Sequence, residues 1–368
     1  MRVIKHQLTS QGLDQGAIDL AMRSVSNSTK AVYDAKWEIF RLWCREQGVM
    51  ATRASVGQIS NFLSHLATTK GRAPSTLDGY RAAIASVYRH IGRAADIDHP
   101  ILTQICKGVR VSRPPIPQVP KWNLPLVLWS LSRPPYEPLD TCDFDHLTYK
   151  TVFLVLLGTA CRRSELHALD RTRLQHHTGW EWVDLLPTPG FKAKFQARGH
   201  DPDRDRHWHL KALPSGATSA KDRAKCPVRA LRQYLKRSDR KRRGTTKLFI
   251  PIANDKDDIT ANTITSWVKK VILQAYRSAT PEVLKRFGVS QTEPNLFRPA
   301  HEIRALGPSY SFASSHPTLQ DVLRSGYWKQ PNTFIRHYLK DVQVASNDGL
   351  YKLAEHVLPG APSTSNTA

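Results

Sequence analysis

Apolar positions recur at helical spacing through the first third of the chain. Tyr33, Trp37, Phe40 and Cys44 share one helical face, with Ser28-Thr29 as a cap and Gly48 as a stop. Ser55 opens a second helix with Ile59, Phe62, Leu63 and Leu66 inward, and Gly71 ends it. Ser75 opens a third, carrying Leu77, Tyr80, Ile84, Val87 and Ile91 as far as Gly92. A shorter fourth holds Ile101, Ile105 and Cys106 and is expected to end at Gly108. Four such helices make a small bundle over residues 21–113, preceded by a weakly structured stretch, residues 1–20. The proline-rich run from Arg113 to Pro120 cannot sustain a helix and marks an extended linker, residues 114–120.

Beyond the linker the pattern is mixed. Thr148 to Ala160 is a strongly apolar helix. Glu181–Leu186, Phe191–Phe195 and His207–Leu213 read as short strands, and Lys247–Ile250 as a further candidate. Pro227 starts a helix with Val228, Leu231, Tyr234 and Leu235 inward. Helical spacing returns over Thr263–Ser278, His301–Ser314, Leu319–Ser325 and Asn332–Leu339. Gly307-Pro308 is expected to end or kink the helix that starts at His301. The fold class expected is mainly α with a small antiparallel β-sheet (α+β). A helical domain is followed by a mixed α/β domain over residues 121–358. The polar residues 359–368 are expected to be a disordered tail.

Charge changes this picture by naming a partner. The 368 residues carry a formal net charge of +23, which says little about fold but favours a polyanion: nucleic acid first, an anionic membrane second. The excess is concentrated. Residues 192–247 hold 18 Lys/Arg against 5 Asp/Glu, and residues 21–113 hold 14 against 6. No apolar run is long enough to span a bilayer, and the N-terminus lacks an apolar signal core. Cys44, Cys106, Cys142, Cys161 and Cys226 are scattered, fit a reducing compartment, and read as small buried hydrophobes.

Four islands could carry chemistry: Arg162-Arg163-Ser164-Glu165-Leu166; Lys194 in a candidate hairpin; His301-Glu302-Ile303-Arg304; and Trp328 followed ten residues on by Tyr338. Each alone is more often structural than functional. Together they share a logic. Opening a phosphodiester places charge on non-bridging oxygens, which two arginines can hold with permanently charged forks. A tyrosine can attack and keep the bond energy as a phosphotyrosine ester, so religation needs no ATP. A phenol ordinarily titrates near about 10, so it needs cationic neighbours or a base. The departing oxygen needs a proton, which a lysine can supply. No Asp/Glu/His cluster at metal spacing is visible along the chain, and His301-Glu302 lacks the second histidine of a zincin. Neither metal nor cofactor is expected.

These islands resemble the tyrosine recombinase, or phage-integrase, family over roughly residues 21–355. Thr159-Ala160-Cys161-Arg162-Arg163-Ser164-Glu165-Leu166 is similar to its first arginine box, and His301-x-x-Arg304 to its second. The resemblance implies Arg162 and Arg304 as the phosphate-holding arginines, Glu165 as a buttress, and His301 as proton handler. It implies Trp328 as a phosphate contact through its indole N–H and Tyr338 as the nucleophile. Lys194 matches the lysine of the family's β-hairpin and would be the general acid; Lys192 competes, because strand alternation puts both on one face. Residues 21–113 are similar to the core-binding domain that clamps duplex DNA. Arg162-Arg163-Ser164-Glu165-Leu166-His167-Ala168-Leu169, Cys226-Pro227-Val228-Arg229-Ala230-Leu231 and Trp328…Tyr338-Leu339 resemble recombinases of DIRS-like retroelements and their animal relatives. This implies DNA recombination or integration by a mobile-element enzyme, two protomers per site and four at synapsis, working in the nucleus if eukaryotic and otherwise in the cytoplasm. The alternative is a domesticated or decayed DNA-binding protein without cleavage. Ala160 replaces the family's usual glycine, Cys161 its usual aliphatic residue, and Gly307-Pro308 interrupts a helix that normally runs on. The Arg240-Lys241-Arg242-Arg243 run reads equally as a DNA contact, a solvated loop or an import signal.

Overall fold

The computed structural model describes residues 2–113, 119–193, 207–213, 219–253, 258–290, 293–313, 318–340 and 342. The chain separates into two compact units, Met1–Ile116 and Pro117–Ala368. Most of the linker, Lys194 and the tail lie outside the described residues.

The first unit is all helical: α1 (Arg2–Ser10), α2 (Gln15–Arg23), α3 (Asn27–Glu46), α4 (Val56–Thr68), α5 (Pro74–His90), the single turn α6 (Ala94–Ile97) and α7 (Pro100–Ser112). Its core holds most of the set expected from periodicity, with Phe40, Ile59, Leu63, Leu77 and Ile84 fully enclosed; in α7, however, Leu102 is buried beside Cys106, and Ile101, expected inward, is exposed. Ser55 caps α4 through a reciprocal pair with Gln58. The Tyr88 hydroxyl, buried in this core, faces the carbonyls of Ala51 and Ala54 at 2.9 and 3.0 Å. Further expectations fail: Ser26 rather than Ser28-Thr29 caps α3, and α5 starts at Pro74 after Ala73 rather than at Ser75. Residues 1–20 are not weakly structured: Ile4 and Leu8 on α1, and Ile18 and Met22 on α2, are pairs one turn apart that bury in the same core. Asp14 caps α2 by accepting from Ala17 N at 2.7 Å. Gly108 does not end α7, which runs on to Ser112; a glycine costs an exposed helix only about 1 kcal/mol.

The second unit contains α8 (Leu124–Leu131), α9 (Phe144–Thr159), α10 (Arg163–His167), β1 (Gln175–His176), β2 (Trp182–Leu185), β3 (Trp208–Lys211), α11 (Ala220–Arg223), α12 (Pro227–Ser238), α13 (Ala261–Ser278), α14 (Pro281–Arg286), α15 (Pro299–Ala313), α16 (Leu319–Ser325) and α17 (Pro331–His337). Helix α9 is the central strut, buried from Leu147 to Thr159, with α12, α13 and α15 packed on it. A helix apolar all round has to be enclosed on all sides. One antiparallel sheet, ordered β1-β2-β3, lies beside it, with Trp182 opposite Lys211 and Leu185 opposite Trp208. Val183, Leu185, Trp208 and Leu210 face inward, as alternation requires. Phe191 to Ala193 are not strand, and Lys247–Ile250 makes only an isolated bridge, Asp170 to Lys247. The mainly α architecture with a small antiparallel sheet is the expected class.

Helix α15 corrects a sharper expectation. It runs unbroken through Gly307 and Pro308. Gly307 sits so close to α9 that a β-carbon there would lie 2.9 Å from the Leu157 carbonyl oxygen. Pro308 offers no N–H to the carbonyl of Arg304, one turn back. Burial of the segment Glu302–Ser309 outweighs that local loss.

An internal ion cluster, not foreseen, ties α9 to the loop before it and to α12. The Lys150 ammonium, fully buried, donates to Leu131 O at 2.7 Å and Glu137 Oε1 at 2.5 Å. Arg229 closes on the same carboxylate with two bonds, 2.7 and 3.1 Å. Burial pulls the Lys150 ammonium down to about 8 despite its carboxylate partner. All five cysteines are buried and free.

Candidate active site

The C-terminal end of α9 leads directly into the first island. Ala160 closes the helix in the left-handed region, φ 46° and ψ 23°, a conformation that glycine adopts more cheaply. This explains why Ala160 stood out in the sequence: its position calls for the residue it replaces. The turn presents Arg162 at the start of α10. Glu165 accepts from the Arg162 backbone N–H at 2.7 Å and from its Nη1 at 2.8 Å. The other face of the carboxylate meets Arg304 Nη1 at 3.8 Å, with both side chains about 2% exposed. One buried carboxylate therefore contacts both arginines. Arg163 points elsewhere, donating to Asn262 Oδ1 at 2.8 Å and Thr265 Oγ1 at 3.1 Å on α13.

Arg304 is held on α15 in a cage. Its Nη groups donate to the carbonyls of Ala160 and Gly326, the latter at 2.6 Å. Its guanidinium carbon lies 4.6 Å from the Trp328 ring centre and 5.4 Å from that of Tyr338. Burial, then the nearby charge of Arg162, lowers its pKa. Trp328 and Tyr338 pack at 5.0 Å between centroids, and His301 also meets Tyr338 at 5.0 Å. Ala160, Ala305, Val322, Leu323 and Phe334 complete a small apolar cluster around the two rings. Gly326 makes room for the indole, since a β-carbon there would fall 1.7 Å from a Trp328 ring carbon. The buried Nε1 of Trp328 and Nε of Arg304 have no hydrogen-bond partner among the described residues.

His301 keeps solvent access on its outer edge. Partial desolvation, then the positive charges of Arg304, Arg298, Arg162 and Lys340, pull its imidazole down to about 4. At neutral pH it is an acceptor, not a cation. Burial pushes the Cys161 thiol up to about 12, so it offers no competing nucleophile.

Arg162, Glu165, His301, Arg304, Trp328 and Tyr338 are thus brought together. Lys194 lies outside the described residues; Lys192 is exposed on the segment that leads towards it. The sequence reading gave no role to Ser309, Glu302 and Lys340, all buried, with Ser309 against the Tyr338 carbonyl and Glu302 paired with Lys340. Only their polarity inside an apolar helical pattern hinted at them. Beside the site, Thr159, Trp208, His209, Lys211, Arg324 and Tyr327 line a cleft of about 390 Å³ on the sheet side. A larger cleft, of about 740 Å³ around Arg232 and Trp180, contains none of the site residues. The chain also gathers Asp143, Asp145 and His146 within 4.8 Å at the far end of α9, a grouping not noticed in the sequence. It includes none of the site residues.

Neither a protein-family model nor a curated protein matches this chain in sequence. Solved structures do. XerH site-specific recombinase bound to its difH substrate, a pre-cleavage complex, is similar over 86% of this chain and 76% of its own, at 15% identity and a TM-score of 0.51. The fold is that of the tyrosine recombinases. A lambda integrase(75–356) dimer bound to a COC′ core site aligns over 93% of this chain and 96% of its own, at 10% identity and a TM-score of 0.47. Among the described residues no helix is long and apolar enough to cross a membrane.

Proposed function

We propose that this chain is a site-specific DNA recombinase that cuts duplex DNA with Tyr338 and rejoins it without metal or ATP. The observation that carries this reading is the convergence of the islands: two arginines in contact with Glu165, with the Tyr338 ring in contact with His301, Trp328 and Arg304.

In the proposed step the Tyr338 oxygen attacks the scissile phosphorus. Its proton passes to the neutral imidazole of His301, and the bond from phosphorus to the 5′ oxygen breaks. Arg162 and Arg304 stabilise charge on the non-bridging oxygens, and the indole N–H of Trp328 adds a donor. Lys194 returns a proton to the 5′ oxygen, leaving a 3′-phosphotyrosine. Attack by a 5′-hydroxyl from another strand reverses these steps. The first unit would act as the core-binding domain, with two protomers on each site and four at synapsis. The motif phrases favour an origin in a DIRS-like mobile element, and with it a nuclear site of action.

A second reading is favoured by the engagement of Arg304 with two backbone carbonyls and by the burial of Tyr338: a DNA-binding descendant that no longer cuts. One experiment separates them. Duplexes selected for binding from a randomised pool are rebuilt with a nick beside each candidate cleavage point and incubated with protein. An SDS-resistant adduct with wild type, absent with Tyr338→Phe, is expected. Binding without any adduct across the nicked set selects the non-cutting reading.

A further inference from the structure

We infer that Glu302, Ser309 and Lys340 form a clamp that fixes the backbone after Tyr338 onto α15, the helix carrying His301 and Arg304, and thereby set the reach of the Tyr338 oxygen. The inference rests on Tyr338 being the nucleophile and assigns positioning roles to three residues outside the sequence motifs.

The clamp has two jaws on one helix. Glu302 and Ser309 are seven residues apart, two helical turns, and so share a face of α15. Both are buried, 4% and 0% exposed. The Lys340 ammonium reaches Glu302 Oε2 at 3.4 Å, and both side chains are about nineteen-twentieths enclosed (5% and 6% exposed). The other Glu302 oxygen accepts from the Lys121 backbone N–H at 3.2 Å, at the start of the unit. Lys340 is held a second time through its backbone, whose N–H donates to Ser309 Oγ at 2.9 Å. Ser309 Oγ also lies 2.8 Å from Ala305 O and 3.2 Å from Tyr338 O. A hydroxyl has one proton to give, so it donates to one of these carbonyls at a time while accepting from Lys340.

The consequence is geometric. Tyr338 follows α17, a helix of only two turns; its Phe334 packs near Phe312 and Ala305 of α15, but such apolar contacts are not directional and leave the backbone after Tyr338 to be fixed by hydrogen bonds. Ser309 ties down the carbonyl of Tyr338 itself and the amide two residues on. Arg304 and Ser309 sit five residues apart on one rigid element, so the phosphate-holding arginine and the nucleophile's backbone share a frame. Errors on the order of 1 Å in such a frame cost about a hundredfold in rate. A carboxylate and an ammonium would not be buried here for stability alone, because an apolar pair of equal volume generally does as well.

The test uses the full chain with the nicked duplex on which wild type forms its adduct. Ser309→Ala and Lys340→Met are expected to slow adduct formation on the order of tenfold to a hundredfold. Affinity for the same duplex stays within about twofold, a split that a folding defect would not produce. Lys340→Arg, which keeps the pair with Glu302, should recover most of the rate. Hydrogen exchange over residues 338–340 should quicken about tenfold or more in Ser309→Ala without DNA present. Unchanged adduct rates in both variants, or unchanged exchange in this segment, overturn the clamp. A wild type that forms no adduct overturns the nucleophile reading, and with it any catalytic role for the clamp, even where exchange shows that it holds. Should Ser309→Ala fail to fold, Glu302→Gln, which keeps the volume, carries the same comparison.

Discussion

The imidazole of His301 sits among Arg162, Arg298, Arg304 and Lys340, and that company determines its protonation. Its folded value of about 4 lies below the ordinary histidine value of about 6.5. Between those values the unfolded chain binds a proton that the folded chain refuses. His301 therefore stabilises the fold fully above about pH 6.5, and that contribution is lost as the pH falls towards 4. A bound phosphate would reverse the local field and raise the value. NMR titration of His301 should give a midpoint below about 5 in free protein, shifted upwards on adding duplex DNA. A midpoint between 6 and 7 without DNA would contradict the cation cage. Ala160 poses a second question at this scale. Its left-handed backbone costs about 1–2 kcal/mol, while removing its buried methyl costs about 0.8 kcal/mol. Ala160→Gly should leave the melting temperature nearly unchanged, whereas Ala160→Val, β-branched and in the same φ region, should lower it markedly. The candidate site residues were legible as a group because their spacing is itself a pattern. Ser309 and Lys340 were not, because their meaning lies in a contact between segments that only the folded chain brings together.

At the level of elements, the periodic helices and the stops at Gly48, Gly71 and Gly92 were readable, whereas Gly108 and Gly307-Pro308 were misread as breakers. Ser55 and Thr318 cap their helices as local rules require. Helices α1 and α2 escaped notice because each buries only two apolar side chains, too few for a period to show. Gly307-Pro308 misled in the opposite direction. Local rules end a helix there, but α15 is packed against α9 along its length, and this close approach needs a residue without a side chain. The sign of a common substitution should therefore invert. Gly→Ala inside a helix ordinarily stabilises by up to about 1 kcal/mol. At Gly307 the new β-carbon meets backbone that cannot yield, and overpacking of this kind costs about 1–3 kcal/mol. Thermal unfolding of Gly307→Ala should show a lower midpoint than wild type; a higher one would mean that α15 and α9 separate easily. The same logic applies to the ion cluster under α9. Lys150→Ala removes a fully buried charge-assisted hydrogen bond but leaves Glu137, part-buried, held by Arg229, so a loss of about 2–3 kcal/mol is expected in denaturant unfolding.

For the molecule as a whole, the +23 charge is the feature that most limits what it can bind, yet not every cation is free to meet DNA. The run at 240–243 shows the difference. Arg242 is a structural residue: its Nη groups donate to Lys247 O at 2.6 Å, Leu248 O at 2.8 Å and Ser238 Oγ at 3.2 Å, and burial lowers its pKa. Arg240, Lys241 and Arg243 are exposed beside it. A single count of charges thus merges a cation that secures a loop with three that face solvent, and sequence cannot separate them because the distinction is one of burial. Each phosphate neutralised releases counterions, and the slope of log affinity against log salt falls by roughly 0.9 per lost contact. If the exposed three meet DNA, the triple change Arg240→Ala, Lys241→Ala and Arg243→Ala should flatten that slope by about two to three and weaken binding at 50 mM salt more than at 200 mM. Arg242→Ala should instead lower the melting temperature at every salt concentration and leave the slope of the folded fraction unaltered. A triple variant with an unchanged slope would place the run on a face that does not touch DNA, leaving import or plain solvation as its role. Titrations of both variants at four or five salt concentrations, beside their melting curves, decide between these outcomes.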